Sequence, residues 1–166
     1  MDDVRWLEAD EQRAWRSYLD ATRLLVRALE AQLEADADIS LTDYELLVHL
    51  SEAPGRRMRM RDLADATLAT RSGVSRAVSR CEQAGWVRRV ECQEDRRGTL
   101  AELTPAGQDK LAAAAPGHVA AVRAAVFDQL TAAQLRQLTT ICSHLADNLR
   151  SPGTRFPEPR RGGSAS

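Results

Sequence analysis

The chain has 166 residues, about one domain by length, and its hydrophobic content of 43% is enough for a packed core. No apolar run approaches the roughly 20 residues of a bilayer span, and the N-terminus is acidic where a secretory signal would be basic and then apolar. We therefore expect a cytoplasmic protein without membrane contact. The three cysteines, Cys81, Cys92 and Cys142, are too few and too widely spaced for a disulfide framework or a zinc site.

The net charge of −1 conceals an uneven distribution of charge along the chain. Residues 1–55 carry 5 basic and 13 acidic side chains, whereas residues 56–97 carry 11 basic and 6 acidic ones. All 11 of these basic side chains are arginines, whose planar guanidinium groups suit phosphates and guanine edges. The middle of the chain is therefore the part expected to meet an anionic partner.

The first third of the chain predicts two helices. Apolar residues recur at three- and four-residue steps from about Glu8 to Glu34, which is typical of a long amphipathic helix. Thr42 and Glu45 have the spacing of a capping box that would begin a second helix, ending before the turn at residues 54–55. Residues 56–60 then predict a short, extended connection.

The next segment predicts a helix-turn-helix. Its helices span about Arg61–Leu68 and Ser72–Ala84, with a tight turn through Ala69 and Thr70 between them and Gly85 as a left-handed cap at the end. The second helix would bury Val74, Val78 and Cys81. Its opposite face then carries serine and arginine.

A β-hairpin and two further helices complete the predicted elements. Residues 86–91 and 99–103 have strand composition, and the loop between them reads CQEDRRG. Thr104 followed by Pro105 begins a helix that continues to residue 130, with Pro116-Gly117 predicted to kink or interrupt it. A capping box of Thr131 and Gln134 begins the last helix, and the tail from residue 151 is predicted to be disordered. The last helix carries an apolar stripe of Leu135, Leu138, Ile141, Cys142, Leu145 and Leu149.

The polar face of the second helix in the helix-turn-helix is the first candidate site. A helix that enters the major groove needs short polar side chains and arginines on one face, and these are the candidate DNA-binding residues here: Arg71, Ser72, Ser75, Arg76, Ser79 and Arg80. Arg76 is the first choice for a base contact, and Arg80 for a base or phosphate contact. The alternative is a merely solvated helix face, which the flanking turn and hairpin disfavour.

The hairpin loop is the second candidate site. Arg96 and Arg97 would stand at its tip, where an arginine can enter the narrow minor groove, and Asp95 can pair with an arginine to fix the tip. An ordinary polar turn is the alternative for these residues.

These residues together resemble the MarR family of winged helix-turn-helix transcription regulators. The resemblance rests on DLADATLATRSGVSRAVSRCEQ, on GWVRRVECQEDRRGTLAELTPAG after it, and on a wing signature at Asp95, Arg97, Leu103 and Thr104. It implies a mainly α fold with a small β-hairpin wing. The implied organisation is an N-terminal dimerisation helix (1–40), a winged helix-turn-helix (41–104), C-terminal dimerisation helices (105–150) and a disordered tail (151–166).

The resemblance also implies how such a protein works. A homodimer would bring two recognition helices about one DNA turn, ~34 Å, apart on a pseudo-palindromic site. Repression would be released by a small aromatic or anionic ligand between the dimer helices and the winged module, although activators also exist in the family. Trp15, Tyr18 and His49 could line that cleft, with Arg16 or Arg23 offering charge, while core packing is the alternative for the aromatics.

The remaining reactive residues suggest no further chemistry. Cys81 and Cys142 occupy apolar helix positions and are expected to be buried, which leaves Cys92 as the one candidate for a reactive thiol. Peroxide sensing by a cysteine in the first helix, known in some relatives, does not carry over because no cysteine precedes Cys81. The three histidines lie on different predicted helices, so no metal or other cofactor is expected.

Two functions from different classes remain open at this point. The first is a dimeric, ligand-responsive regulator that reads double-stranded DNA. The second is a protein-interaction adaptor that has a winged-helix fold and does not read DNA. An enzyme is not expected, because the sequence contains neither a phosphate-binding glycine loop nor a paired-carboxylate or nucleophile motif.

Overall fold

The computed structural model describes residues 5–91 and 99–150 of the chain. The two ends of the chain, including the predicted disordered tail, and the tip of the predicted hairpin lie outside the described residues. The described elements are, in order, α1 (Ala9–Ala37), α2 (Leu41–Glu52), β1 (Arg57–Arg59), α3 (Met60–Ala66), α4 (Arg71–Gln83), β2 (Val87–Glu91), β3 (Thr99–Leu103), α5 (Pro105–Ala125) and α6 (Ala132–Arg150). The predicted mainly helical fold with a small antiparallel wing is confirmed.

Helix α1 begins with a capping box that the sequence analysis did not identify. The backbone N–H of Glu8 donates to the Glu11 carboxylate at 2.8 Å, and the Glu8 side chain accepts in return from the Glu11 backbone. The helix ends at Ala37, where Asp38 adopts the left-handed conformation with φ of 46°. The predicted helix is thus correct and three residues too short, because the residues after Glu34 carry no apolar periodicity.

The predicted capping box of α2 at Thr42 is wrong by two residues. Ser40 is the N-cap, since its backbone is extended and its hydroxyl accepts from the Asp43 N–H at 3.1 Å. The N–H of Leu41 donates to the Glu30 carboxylate of α1 at 2.9 Å. This long-range partner, which local spacing cannot reveal, holds the start of α2 against α1.

The predicted helix-turn-helix is present as α3 and α4. Thr70 caps α4 by accepting from the Gly73 N–H at 3.1 Å, and the helix begins at Arg71, one residue before the predicted start. Gly85, with φ of 78°, ends α4 as predicted. The N–H of Trp86 donates to the Cys81 carbonyl at 2.8 Å and that of Gly85 to the Glu82 carbonyl at 3.0 Å, which is a Schellman motif.

The predicted hairpin is part of a three-stranded antiparallel sheet in the order β1-β3-β2. Ala101 at the centre of β3 is opposite Met58 of β1 and Arg89 of β2. The segment predicted only as an extended connection is therefore the third strand. At the end of β3, Thr104 donates to the Gly85 carbonyl at 2.7 Å and accepts from the Gly107 N–H at 3.1 Å, which confirms the predicted cap of α5.

A single apolar core joins the winged module to α1 and α5. It includes Leu33 of α1, Leu111 of α5, and the residues Val74, Val78 and Cys81 that were predicted to form the inward face of α4. Helix α5 runs uninterrupted through Pro116 to Ala125, so the predicted interruption is not observed, and the predicted extension to residue 130 is too long.

Helix α6 belongs to a second compact unit that begins at Val126. Its predicted capping box is confirmed, because the Thr131 N–H donates to the Gln134 side chain at 2.9 Å and the Thr131 hydroxyl accepts from the Gln134 N–H at 3.3 Å. The apolar stripe of α6 is exposed in the single chain. Cys142, which was expected to be buried, is likewise exposed.

Candidate nucleic-acid interface

The polar face of α4 is exposed where the sequence analysis expects DNA contact. Arg71, Ser72, Ser75 and Arg76 are exposed, whereas Val74 and the following buried positions hold the opposite face of the helix against the core. Within the described part of the chain, the Arg76 guanidinium forms no hydrogen bond or ion pair. Its five donors are therefore available to a base edge or a phosphate.

Arg80 differs from Arg76, because one edge of its guanidinium is bound within the protein. Its Nη2 donates to Asp43 Oδ1 at 2.7 Å and its Nε to Asp43 Oδ2 at 3.1 Å. The Asp43 side chain lies at the start of α2, and the residue is only 6% exposed. The hydrogen bond to Asp43 raises the pKa of Arg80 above its ordinary value. The predicted base or phosphate contact of Arg80 would use the N–H groups that the ion pair leaves unused, which are those of Nη1 and the second N–H of Nη2.

Ser79 is also engaged inside the protein. Its hydroxyl donates to the Ser75 carbonyl one turn earlier at 2.9 Å and accepts from Arg89 Nη2 of β2 at 3.0 Å. The donor of the Ser79 hydroxyl and one of its two acceptor positions are thus already used, so Ser79 is less available to DNA than Ser75. The roles of Asp43 and Arg89 were not predicted from the sequence, because their partners are distant in the chain.

The second candidate site, the wing tip at Asp95, Arg96 and Arg97, lies outside the described residues, and so does Cys92. The strands that lead into it and out of it are described. Arg88 Nη2 of β2 pairs with Glu102 Oε1 of β3 at 2.6 Å across the hairpin. This pair lies on the exposed surface near the base of the hairpin, one position from the pair Val87–Leu103.

The residues predicted to hold a small ligand are not brought together. Trp15 and Tyr18 stack on each other along α1 with ring centroids 6.1 Å apart, and Arg16 lies between them in the chain. His49 instead lines a cavity of about 860 Å³ bordered by β1 and the hairpin, and no residue of α1 lines it. The alternative prediction, that the two aromatics pack in the core, is wrong for the single chain, because Trp15 is 52% and Tyr18 51% exposed.

The other candidate reactive groups have structural surroundings. Cys81 is fully buried, as predicted, and burial raises the pKa of its thiol to about 12. His118 of α5 packs on Tyr44 of α2 with ring centroids 4.5 Å apart, and burial lowers the pKa of its imidazole. Across residues 5–91 and 99–150, no group of three or more histidine, cysteine or acidic side chains could hold a metal ion. No helix in those ranges is long and apolar enough to span a membrane.

A helix-turn-helix followed by an antiparallel hairpin, with an exposed arginine and serine face on its second helix, defines a winged helix-turn-helix protein. A family model described as MarR family matches residues 37–98. Sco3205 of Streptomyces coelicolor, a MarR family transcriptional regulator solved in complex with DNA, is 48% identical, with a TM-score of 0.87 over 92% of this chain and 95% of that one. The chain belongs to the MarR family of transcriptional regulators, which are not enzymes.

Other solved structures agree with this assignment. AbsC of Streptomyces coelicolor, also a MarR family transcriptional regulator, is 44% identical with a TM-score of 0.84 over 89% of this chain and 99% of that one. BpsR of Bordetella bronchiseptica, at 17% identity and a TM-score of 0.72 over 81% of this chain and 99% of that one, shares the fold. Comparison with curated proteins gave no match.

Proposed function

We propose that this protein is a homodimeric repressor that reads a pseudo-palindromic DNA site with α4 and is released by a small ligand. The observation that carries the proposal is the exposed Arg76 on the polar face of α4, whose guanidinium has no partner among residues 5–91 and 99–150. The 48% identity to Sco3205, a MarR family transcriptional regulator solved in complex with DNA, supports DNA as the partner of this protein.

Within this proposal the residues of α4 have different tasks. Arg76 contacts a guanine edge, to which a guanidinium can donate two hydrogen bonds. Arg71, Ser72 and Ser75 contact phosphates or base edges near the start of the helix, where the N–H groups also favour an anion. Asp95, Arg96 and Arg97, at the tip of the wing, complete the interface in the minor groove. Arg80 and Ser79 contribute mainly by holding α4 in place.

The homodimer is supported by apolar surface that the single chain leaves exposed. Helix α1 exposes Trp15, Tyr18 and Val26, and α6 exposes Leu138 and Ile141. Surfaces of this kind are rare on monomers, and burying them against a second copy would be favourable by about 25 cal/mol per Å². Two recognition helices one DNA turn, ~34 Å, apart would then match two half-sites.

We infer that the releasing ligand is a small aromatic or anionic molecule and that Trp15, Arg16 and Tyr18 contribute to its site. The stacked, half-exposed ring pair offers an aromatic surface, and Arg16 offers a positive charge beside it. His49 belongs to a separate cavity and is no longer part of the proposed ligand site. The ligand would release DNA by favouring a dimer in which the recognition helices no longer match the groove. Such a regulator acts in the cytoplasm.

Footprinting of the promoter next to the protein's own gene, with and without a panel of aromatic acids, tests the proposal. The expected result is protection of an inverted repeat that disappears with one of the acids. Protection that survives every acid would contradict ligand release while leaving DNA reading intact. The absence of protection on any sequence would instead favour the protein-interaction adaptor.

A further inference from the structure

Arg89 joins the wing to the recognition helix through a network of hydrogen bonds. Its Nη1 donates to Glu82 Oε2 at 2.6 Å, and its Nη2 donates to the Ser79 hydroxyl at 3.0 Å and to the Ser75 carbonyl at 3.3 Å. The backbone N–H of Arg89 also donates to Glu82 Oε1 at 3.3 Å. One strand residue thus contacts α4 at three positions spread over two turns of the helix.

This network attaches β2 to α4 beyond the base of the hairpin. The base of the hairpin is fixed to the end of α4 by the bond from Trp86 to the Cys81 carbonyl, and to α5 by Thr104. Strand β1 supports the opposite edge of the hairpin through its pairing with β3. Arg89 lies three residues after Trp86, opposite Ala101 of β3, and therefore supplies a second attachment of β2 to α4, closer to the wing loop.

We propose that Arg89, together with Glu82, is a positioning residue that sets the angle between the wing and the recognition helix. The inference rests on the proposed function, because the angle matters only if both elements contact DNA. The attachment sites on α4, Ser75 and Ser79, flank Arg76, so the network orients the turn of helix that carries the proposed base contact. The wing and α4 then hold a fixed spacing before DNA binds, which lowers the conformational entropy lost on binding.

The alternative role for Arg89 is a direct phosphate contact. The structure argues against it, because both terminal nitrogens of the guanidinium are already bound to Glu82, Ser79 and Ser75, and the side chain is only 32% exposed. Arg88, one residue earlier on the same strand, provides the matched control. It carries the same charge, pairs with Glu102 inside the sheet and is 64% exposed.

The test compares Arg89→Ala, Arg88→Ala, Arg89→Lys and Glu82→Gln with the unaltered protein, on its footprinted site and on a scrambled duplex at equal salt. Arg89→Ala is expected to lower the ratio of cognate to scrambled affinity by ~10-fold, the worth of a hydrogen bond to a charged group. Arg88→Ala should weaken both duplexes alike. Glu82→Gln should lower the ratio of cognate to scrambled affinity severalfold. Removing the negative charge strengthens binding to both duplexes and therefore does not change this ratio. Arg89→Lys should be intermediate, because one ammonium cannot reach all three acceptors.

Two outcomes would overturn the positioning role. In the first, Arg89→Ala weakens binding to both duplexes equally, and the slope of log affinity against log salt falls by about one phosphate contact. This result would make Arg89 a phosphate ligand. An unchanged or higher ratio in Glu82→Gln would show that the network does not orient the wing. If the proposed function itself is wrong, the unaltered protein will show no preference between the two duplexes. That result is distinct from the two outcomes that concern Arg89 and Glu82.

A measurement without DNA keeps the inference testable if Arg89→Ala is less stable. Amide hydrogen exchange is expected to rise in β2 and β3 of this variant and to stay unchanged in the middle of α5. Arg88→Ala, the control, should leave exchange near Glu82 unaltered. A uniform rise over the whole chain would indicate general destabilisation and would argue against a specific coupling of wing and helix.

Discussion

Arg80 of α4 and Asp43 of α2, which are 37 residues apart in sequence, form a two-pronged ion pair with N···O distances of 2.7 and 3.1 Å. The carboxylate is buried and the guanidinium is half-exposed. Because the pair links the recognition helix to the start of α2, it opposes sliding of α4 along the core. The cost of breaking it should depend on which partner is removed.

Replacement of Arg80 by alanine is expected to destabilise the protein more than replacement of Asp43 by asparagine. Arg80→Ala leaves a buried carboxylate without its counter-charge, at a cost of ~1–3 kcal/mol after allowance for solvent near the guanidinium. Asp43→Asn keeps an acceptor for the arginine and should cost less. Urea denaturation of both variants measures the difference, and equal losses of unfolding free energy would contradict this account of the pair.

Arg76→Ala is expected to weaken binding to the cognate site by ~1–3 kcal/mol and to relax the preference at one base position. The reason is that the Arg76 guanidinium, which has no partner within the described residues, is free to bind both acceptors of a guanine. Fluorescence anisotropy on the site and on single-base variants measures both effects. Arg150→Ala, at the exposed end of α6, is the control for loss of one positive charge, and equal effects of the two changes would remove Arg76 from base reading.

Leu138→Glu is expected to convert the proposed dimer to a monomer. Leu138 is exposed in the single chain within the apolar stripe of α6, and a carboxylate buried in an interface without a partner is strongly unfavourable. Light scattering after size-exclusion chromatography measures the mass. Ser143→Glu, on the opposite side of the same helix, should leave the dimer intact. A wild-type protein that elutes as a monomer would refute the proposed assembly.

Thiol labelling is expected to separate the two described cysteines. Burial raises the pKa of Cys81 to about 12, so its thiol stays protonated and shielded at pH 8, whereas Cys142 is exposed in the single chain. In a Cys92→Ser variant kept monomeric by Leu138→Glu, one thiol should react rapidly with a disulfide reagent and the second only in denaturant. Two rapid thiols in the native protein would mean that the core around Cys81 opens readily.

Acidification is expected to destabilise the protein partly through His118. Burial lowers the pKa of this imidazole in the folded state, so its contribution to stability is present above the unfolded pKa and is lost as the pH falls below it. The unfolding free energy should therefore decrease between pH 7.5 and 5.5. The decrease should be smaller in His118→Phe, which preserves the ring contact with Tyr44. A parallel decrease in both proteins would exclude His118 as its source.

The sequence predicted best what depends on neighbouring residues. Val74, Val78 and Cys81 follow helical periodicity, and the cap at Thr104 and the left-handed end at Gly85 each depend on one or two residues. Partners far apart in the chain were missed, as with Asp43 and Arg80. The exposed aromatics of α1 and the exposed Cys142 show a further limit, because periodicity identifies an apolar face and not the surface that covers it.

The close approach of Gly107 to the wing has a consequence for how signals travel. A side chain at this position would place its Cβ 2.1 Å from the carbonyl oxygen of Trp86, so the first turn of α5 lies directly against the base of the hairpin. The same oxygen accepts a hydrogen bond from Thr104 at 3.0 Å. The two segments are therefore in direct contact, with no room for a side chain between them. A displacement of the first turn of α5 should therefore move the base of the hairpin with it.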